Sequence, residues 1–428
     1  MIFCKKAGWG MALLFLCLIF GTGRTQKIEA AVQNVPESLE EESRLDTVGT
    51  DQETERAAVR EKKGQQEKEA GDTETDQAAA AQDELLAELD FDAIQQEVDS
   101  LLSSQQFSFA GTVRSLLQDG DPFRTFRAGN AVLSCAKTAF LAQKGLMKEL
   151  FLLVLAGAVL GSFSSLFEGK QVRDVSFYMV YLLALALILK NFQSSGENLK
   201  AVITSLVAFM RILTPSYYLA AAAAGGASSA VMFYQMLLLV ILAVEKLLLA
   251  LVLPMIHIYL LIALVNDLSG EEILSHMTEL LETCVNGLLK SSLGVLVGMQ
   301  MIRNLIAPAL DSLRQMALWR TAGMIPGIGN AVNAVTELVA GSAVLIRNCF
   351  GVTAMLVLLA AGMVPAVQLL VSGLSFRLLA AAAQPVSDKR IAGCLAAAGK
   401  GYAMLLRLLL TVEVLFLLTI AILAGTFS

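Results

Sequence analysis

From residue 149 onward the chain alternates long apolar runs with short polar breaks. The runs cover residues 151–167, 175–189, 201–224, 231–265, 288–307, 331–348, 351–371 and 403–425. A segment in hydrocarbon must satisfy its backbone hydrogen bonds internally, so runs this apolar are expected to be helices. A crossing needs about 20 residues. The pattern therefore predicts an all-α, polytopic helical membrane protein with six to eight spans, the run 231–265 serving as one long helix or two short ones.

The pattern changes upstream. Lys5 and Lys6 precede an apolar run over 11–20 and then Gly21-Thr22-Gly23, the charged and apolar regions of a secretory signal peptide. Ten residues are too few to span a bilayer. Cleavage is expected after Ala30 or after Gly23, an uncleaved anchor being the alternative. Residues 31–82 are rich in Glu, Gln, Thr, Ala and Asp, with no aromatic between Phe20 and Phe91. Such a stretch buries too little apolar surface to offset its ordering entropy and is expected to be a disordered acidic linker. Helical spacing returns with Leu85, Leu86, Leu89, Ile94, Val98, Leu101 and Leu102. Asp121-Pro122 then reads as a helix start, opening a basic amphipathic helix with Arg124, Arg127, Lys137, Lys144 and Lys148 among Phe123, Phe126, Leu133 and Phe140. Such a helix lies in the membrane interface or packs on the bundle. The expected organisation is thus a signal peptide over 1–30, a linker over 31–82, extracytoplasmic amphipathic helices over 83–147, and a membrane domain over 148–428.

Composition sharpens this division. The chain is 56% hydrophobic and 16% charged, with mean hydropathy +0.64. The formal net charge of -6 is an average, since residues 27–108 carry 7 basic and 22 acidic residues and residues 109–428 carry 22 basic and 16 acidic. An ordinary soluble enzyme and a basic nucleic-acid binder are both excluded. The six cysteines include no CxxC pair, and neither a zinc site nor a redox pair is expected. Lys170 and Arg173, and the cluster Lys389, Arg390, Lys400 and Arg407, favour cytoplasmic loops. Lys137, Lys144 and Lys148 oppose that orientation, and the signal peptide decides for an extracytoplasmic N-terminal region.

Charges inside apolar runs mark function by default in membranes. Arg211, Glu245 and Glu413 are the candidates, Lys246, Arg347, Arg377 and Arg407 lying in similar runs. Glu413 is the hardest to place at a water interface, and a lumen-facing or cross-helix-paired role is expected. Helix breakers form a second set, the candidate path or hinge residues Pro215, Gly225, Gly226, Pro254, Pro326, Gly327, Gly329 and Pro365. Pro215 with Pro326, and Pro254 with Pro365, share an offset of 111 residues, which points to a duplication of 177–265 in 288–376. Duplicated halves with broken helices build the central path of many transporters, and close helix packing by small residues is the simpler reading.

Enzyme chemistry finds no foothold. Glu272, His276 and Glu279 share a helix face but read as a solvated acidic helix, and no Walker loop, GxSxG or HExxH occurs. No cofactor or metal is expected.

Three stretches carry a resemblance: Ser164-Ser165-Leu166-Phe167-Glu168-Gly169-Lys170, Ala224-Gly225-Gly226-Ala227-Ser228-Ser229-Ala230-Val231-Met232-Phe233, and the run from Met324-Ile325-Pro326-Gly327-Ile328-Gly329 to Val344-Leu345-Ile346-Arg347-Asn348-Cys349. Together they resemble the stage III sporulation protein AE family of endospore-forming bacteria, over roughly residues 140–428. The resemblance implies a non-enzymatic membrane subunit of the channel between mother cell and forespore, needed for forespore development after engulfment. Its implied partners are ring-forming and other membrane subunits, an ATPase and the bilayer, not nucleic acid. It implies a multi-pass location in the mother-cell membrane around the forespore and brings no catalytic residue. The rival class is a stand-alone secondary transporter.

Overall fold

Long stretches that cannot leave their backbone to lipid fold as helices here. The computed structural model describes residues 91–102, 107–119, 128–164, 170–221, 241–269, 274–322, 329–385 and 387–425, with single positions 235, 238 and 239. The expected signal peptide, the acidic linker and Asp121-Pro122 lie outside these residues. The helices are α1 (Phe91–Leu101), α2 (Phe109–Asp119), α3 (Ala128–Ser164), α4 (Lys170–Ala221), α5 (Ile241–Ser269), α6 (Ser275–Ala322), α7 (Gly329–Ala383) and α8 (Lys389–Gly425). No strand occurs among the described residues.

Among the described residues, five segments are long and apolar enough to cross a membrane: Phe177–Ser216, Ile241–Ser269, Ser275–Met299, Gly341–Ala383 and Lys389–Ala421. They are the helices of a multi-pass membrane protein. Runs that read as separate spans share one helix, 175–189 with the 201–221 part of the next run on α4, and 331–348 with 351–371 on α7. The polar stretch 190–200 does not interrupt α4, because Phe192, Gly196, Leu199 and Ile203 keep one buried face at helical spacing. At 52 residues α4 is about 78 Å long at 1.5 Å per residue, more than twice a hydrocarbon core of about 30 Å.

The last helix is the axis of the bundle. α8 packs most extensively on α7 and also on α5, α4 and α6. Small residues let α7 and α8 approach: a Cβ on Gly399 would lie 3.3 Å from the Gly373 carbonyl oxygen. The α7–α8 connection, the C-terminus of α5 and the start of α4 gather at one end. There Arg390 donates to the Leu268 carbonyl (3.3 Å) and stands 5.5 Å from the Phe177 ring centroid, while Tyr181 donates to the Leu264 carbonyl (2.6 Å). The end of α3 joins them, since a Cβ on Gly157 would touch Val180 and Ile391.

The N-terminal pair sits at the opposite end. Gln95 ties α1 to α2, donating to the Phe107 carbonyl (2.7 Å) and accepting from the Phe109 N–H (2.8 Å). Ser108 caps α2 by accepting from Gly111 N–H at 3.1 Å. Phe91 and Phe109 close on Phe350 of α7, with centroids 6.2 and 5.0 Å away in edge-to-face geometry. Phe350 lies roughly 40 Å along α7 from Phe376, which belongs to the bundle's middle.

Candidate functional site

The polar stretch of α4 divides its side chains between two faces. Inward, Asn191 donates to the Tyr402 hydroxyl of α8 at 2.6 Å, and Ser195 Oγ lies 3.3 Å from the same oxygen. Tyr402 is fully buried, stacked on Phe376 at 5.2 Å and edge-on to Phe192 at 5.2 Å. His257 of α5 completes the layer. Its ring meets Phe192 at 5.3 Å, Nδ1 lies 2.9 Å from the Leu253 carbonyl, and Nε2 rests over Gly196, where a Cβ would come within 2.5 Å. Four helices thus meet at a polar and aromatic layer in the interior. Tyr402→Phe is expected to lower stability by about 1–2 kcal/mol, because Asn191 loses its acceptor. An unchanged thermal melt of the purified variant in detergent would show that the layer contributes nothing.

Outward, the same stretch presents Lys190, Gln193, Ser194, Glu197, Asn198, Lys200 and Thr204, all exposed. Gln193 donates to Glu197 at 3.2 Å. The continuation of this face toward the helix start is apolar and exposed: Val175, Tyr178, Met179, Leu182 and Leu183. One outward face therefore changes from lipid-compatible to water-compatible partway along a single helix.

The sequence candidates fall in different places. Glu413 is buried at 3% exposure in the α7–α8 seam, with its carboxylate occupying the space a Cβ on Gly362 would need. Among the described residues no hydrogen-bond partner reaches its Oε1. Glu245, half-buried on α5, lines a small cavity with Ile241, Leu248, Leu296, Val412 and Phe416. Arg211 and Pro215 are exposed on α4, which continues through the proline. Pro254 follows a π-helical turn, Leu248–Val252, whose wider spacing accommodates a residue without an N–H. Pro365 lies inside continuous α7, about ten turns from its start and about five from its end. Gly329 opens α7, and Gly225, Gly226, Pro326 and Gly327 lie outside the described residues. The structure sets Glu413 against Gly362, three residues before Pro365, and leaves Arg211 and Pro215 on the surface.

Asn191, Ser195, His257 and Tyr402 were not among the sequence candidates. Their signal was present in the helical spacing of Phe192, Gly196 and Leu199, which runs straight through the polar stretch. Asp267 packs on Gly393, where a Cβ would lie 3.0 Å from its carboxylate. No group of three His, Cys, Asp or Glu residues suited to a metal occurs among the described residues.

The family model described as Stage III sporulation protein AE matches residues 107–426. The Stage III sporulation protein AE of Bacillus subtilis (strain 168) is 22% identical over 291 residues, covering 67% of this chain and 73% of that protein. No solved structure matches the chain.

Proposed function

Since the chain belongs to the stage III sporulation protein AE family, we propose that it is a non-enzymatic membrane subunit of a transenvelope sporulation channel between mother cell and forespore. The observation that carries this reading is the outward face of α4. A row of Lys, Gln, Ser, Glu and Asn side chains facing hydrocarbon would be costly, and facing water or another subunit it is not. Lys190 lies about 20 Å along the helix from Phe177, at the level of the buried Tyr402 layer. Copies or partner subunits arranged around this face would enclose a polar path.

The helix arrangement supports a six-span topology, with α3 through residues 151–164 counted as the first crossing. The connections after α3, α5 and α7 then share the end carrying Lys170, Arg173, Lys389 and Arg390, the cytoplasmic end by charge. The α1–α2 pair lies at the other end, which favours an extracytoplasmic N-terminal region and the mother-cell membrane around the forespore as its home. The ring-forming subunits and the ATPase of the apparatus are its proposed partners.

The test is thiol labelling in sporulating cells, with native cysteines replaced. Cysteines at Gln193, Ser194, Glu197 and Asn198 are expected to react with a membrane-impermeant maleimide. Cysteines at Leu182 and Leu183 are expected to stay protected. Protection at all six positions would sink the polar-path reading. A stand-alone transporter would instead move solute in liposomes without other subunits, and no such uptake is expected.

A further inference from the structure

We propose that Glu413 is a proton-binding site, a carboxyl group held as the neutral acid in the seam between α7 and α8, where it fastens the two helices at Gly362.

The geometry is specific to a glycine facing a glutamate. Glu413 projects from α8 into the one-residue gap that Gly362 leaves on α7, and any Cβ at 362 would overlap the carboxylate. The group is 3% exposed, and among the described residues no N–H or O–H reaches Oε1. An ionised carboxylate with a buried oxygen left unpartnered and no counter-charge beside it is strongly disfavoured away from water. A protonated oxygen in the same place becomes a donor facing the helix backbone. That backbone is unusual here, because Pro365 has no N–H to offer the Ala361 carbonyl, its normal partner one turn back.

Among the described residues, no neighbouring helix supplies a compensating charge. α7 has no charged residue between Arg347 and Arg377, α4 none between Lys200 and Arg211, and α6 none between Lys290 and residue 303. Cys349 on α7 is the other titratable group in that stretch. On α8 the preceding charge is Arg407, exposed and bound to Asn286 Oδ1 at 3.1 Å. On α5, Glu245 lines the cavity shared with Val412 and Phe416, Lys246 beside it is exposed, and His257 belongs to the Tyr402 layer. A metal ion fits poorly, since no cluster of ligating side chains exists among the described residues.

Dicyclohexylcarbodiimide is the probe, because it enters membranes and couples to protonated carboxyl groups. The activated acid is attacked by the reagent's own nitrogen, leaving an N-acylurea on the side chain and nothing released. The full chain in liposomes at neutral pH is expected to carry the adduct on Glu413, located by mass spectrometry and absent from Glu413→Gln. Infrared difference spectra of wild type against Glu413→Gln are expected to show a protonated-carboxyl carbonyl band belonging to Glu413. Glu413→Gln, isosteric with the neutral acid, is expected to fold with an unchanged melt, whereas Glu413→Lys loses the folded form. Absence of both adduct and acid band at neutral pH would overturn the proposal. So would protection from the reagent by sodium ions, which would identify a cation rather than a proton as the occupant.

Discussion

Gly362→Val is expected to eliminate most of the folded protein. Valine would place carbon where the Glu413 carboxylate sits, in a seam with no solvent to yield into. Overpacking a close-packed interior costs about 1–3 kcal/mol, occasionally more, and here the displaced group is a buried carboxyl, which raises the cost further. The collision has a remedy that distinguishes it from a general intolerance of glycine replacement. Truncating the partner in Gly362→Val/Glu413→Ala vacates the space the valine needs, so the double variant should recover much of the folded yield lost by the single one. Full-chain levels in membranes and monodispersity in detergent measure both. A double variant no better than Gly362→Val would show that the two side chains do not compete for one space.

Phe350→Ala is expected to detach the N-terminal helix pair while leaving the membrane bundle intact. Phe350 is fully buried between Phe91 and Phe109, and loss of a buried phenylalanine ring costs about 3–5 kcal/mol. What remains between α1–α2 and the bundle is the contact of α1 with α4 and of α2 with the rest of α7. Limited proteolysis of the purified variant should cut ahead of α3 much faster than in wild type, with the fragment from α3 onward persisting. An unaltered cleavage rate would place the attachment elsewhere, on the α1–α4 contact in particular.

Much of the architecture was legible in the apolar runs, because a lipid-facing backbone admits few alternatives to a helix. The number of helices was harder to read. Residues 190–200 look like a loop by composition, and only the buried positions Phe192, Gly196 and Leu199 show that the helix continues. A hydropathy average loses such positions, since it sums both faces of the turn. Proline was misleading for the same reason in reverse. Pro215 and Pro365 sit inside unbroken helices and Pro254 is absorbed by a π turn, so a residue that ends helices in water need not end them in a packed bundle. Glu413 stood out by its position in an apolar run, whereas Gly362, 51 residues earlier, had no mark among 32 glycines. The pair is a tertiary fact, and so is the seating of His257 on Gly196.

The convergence of the helices on α8 bears on how the bundle comes apart. α8 touches α4, α5, α6 and α7, so drawing it away uncovers apolar surface on four helices at once. No neighbour keeps its full packing once that helix has left. Opening of the bundle is therefore expected to be one cooperative event rather than a peeling of helices in turn.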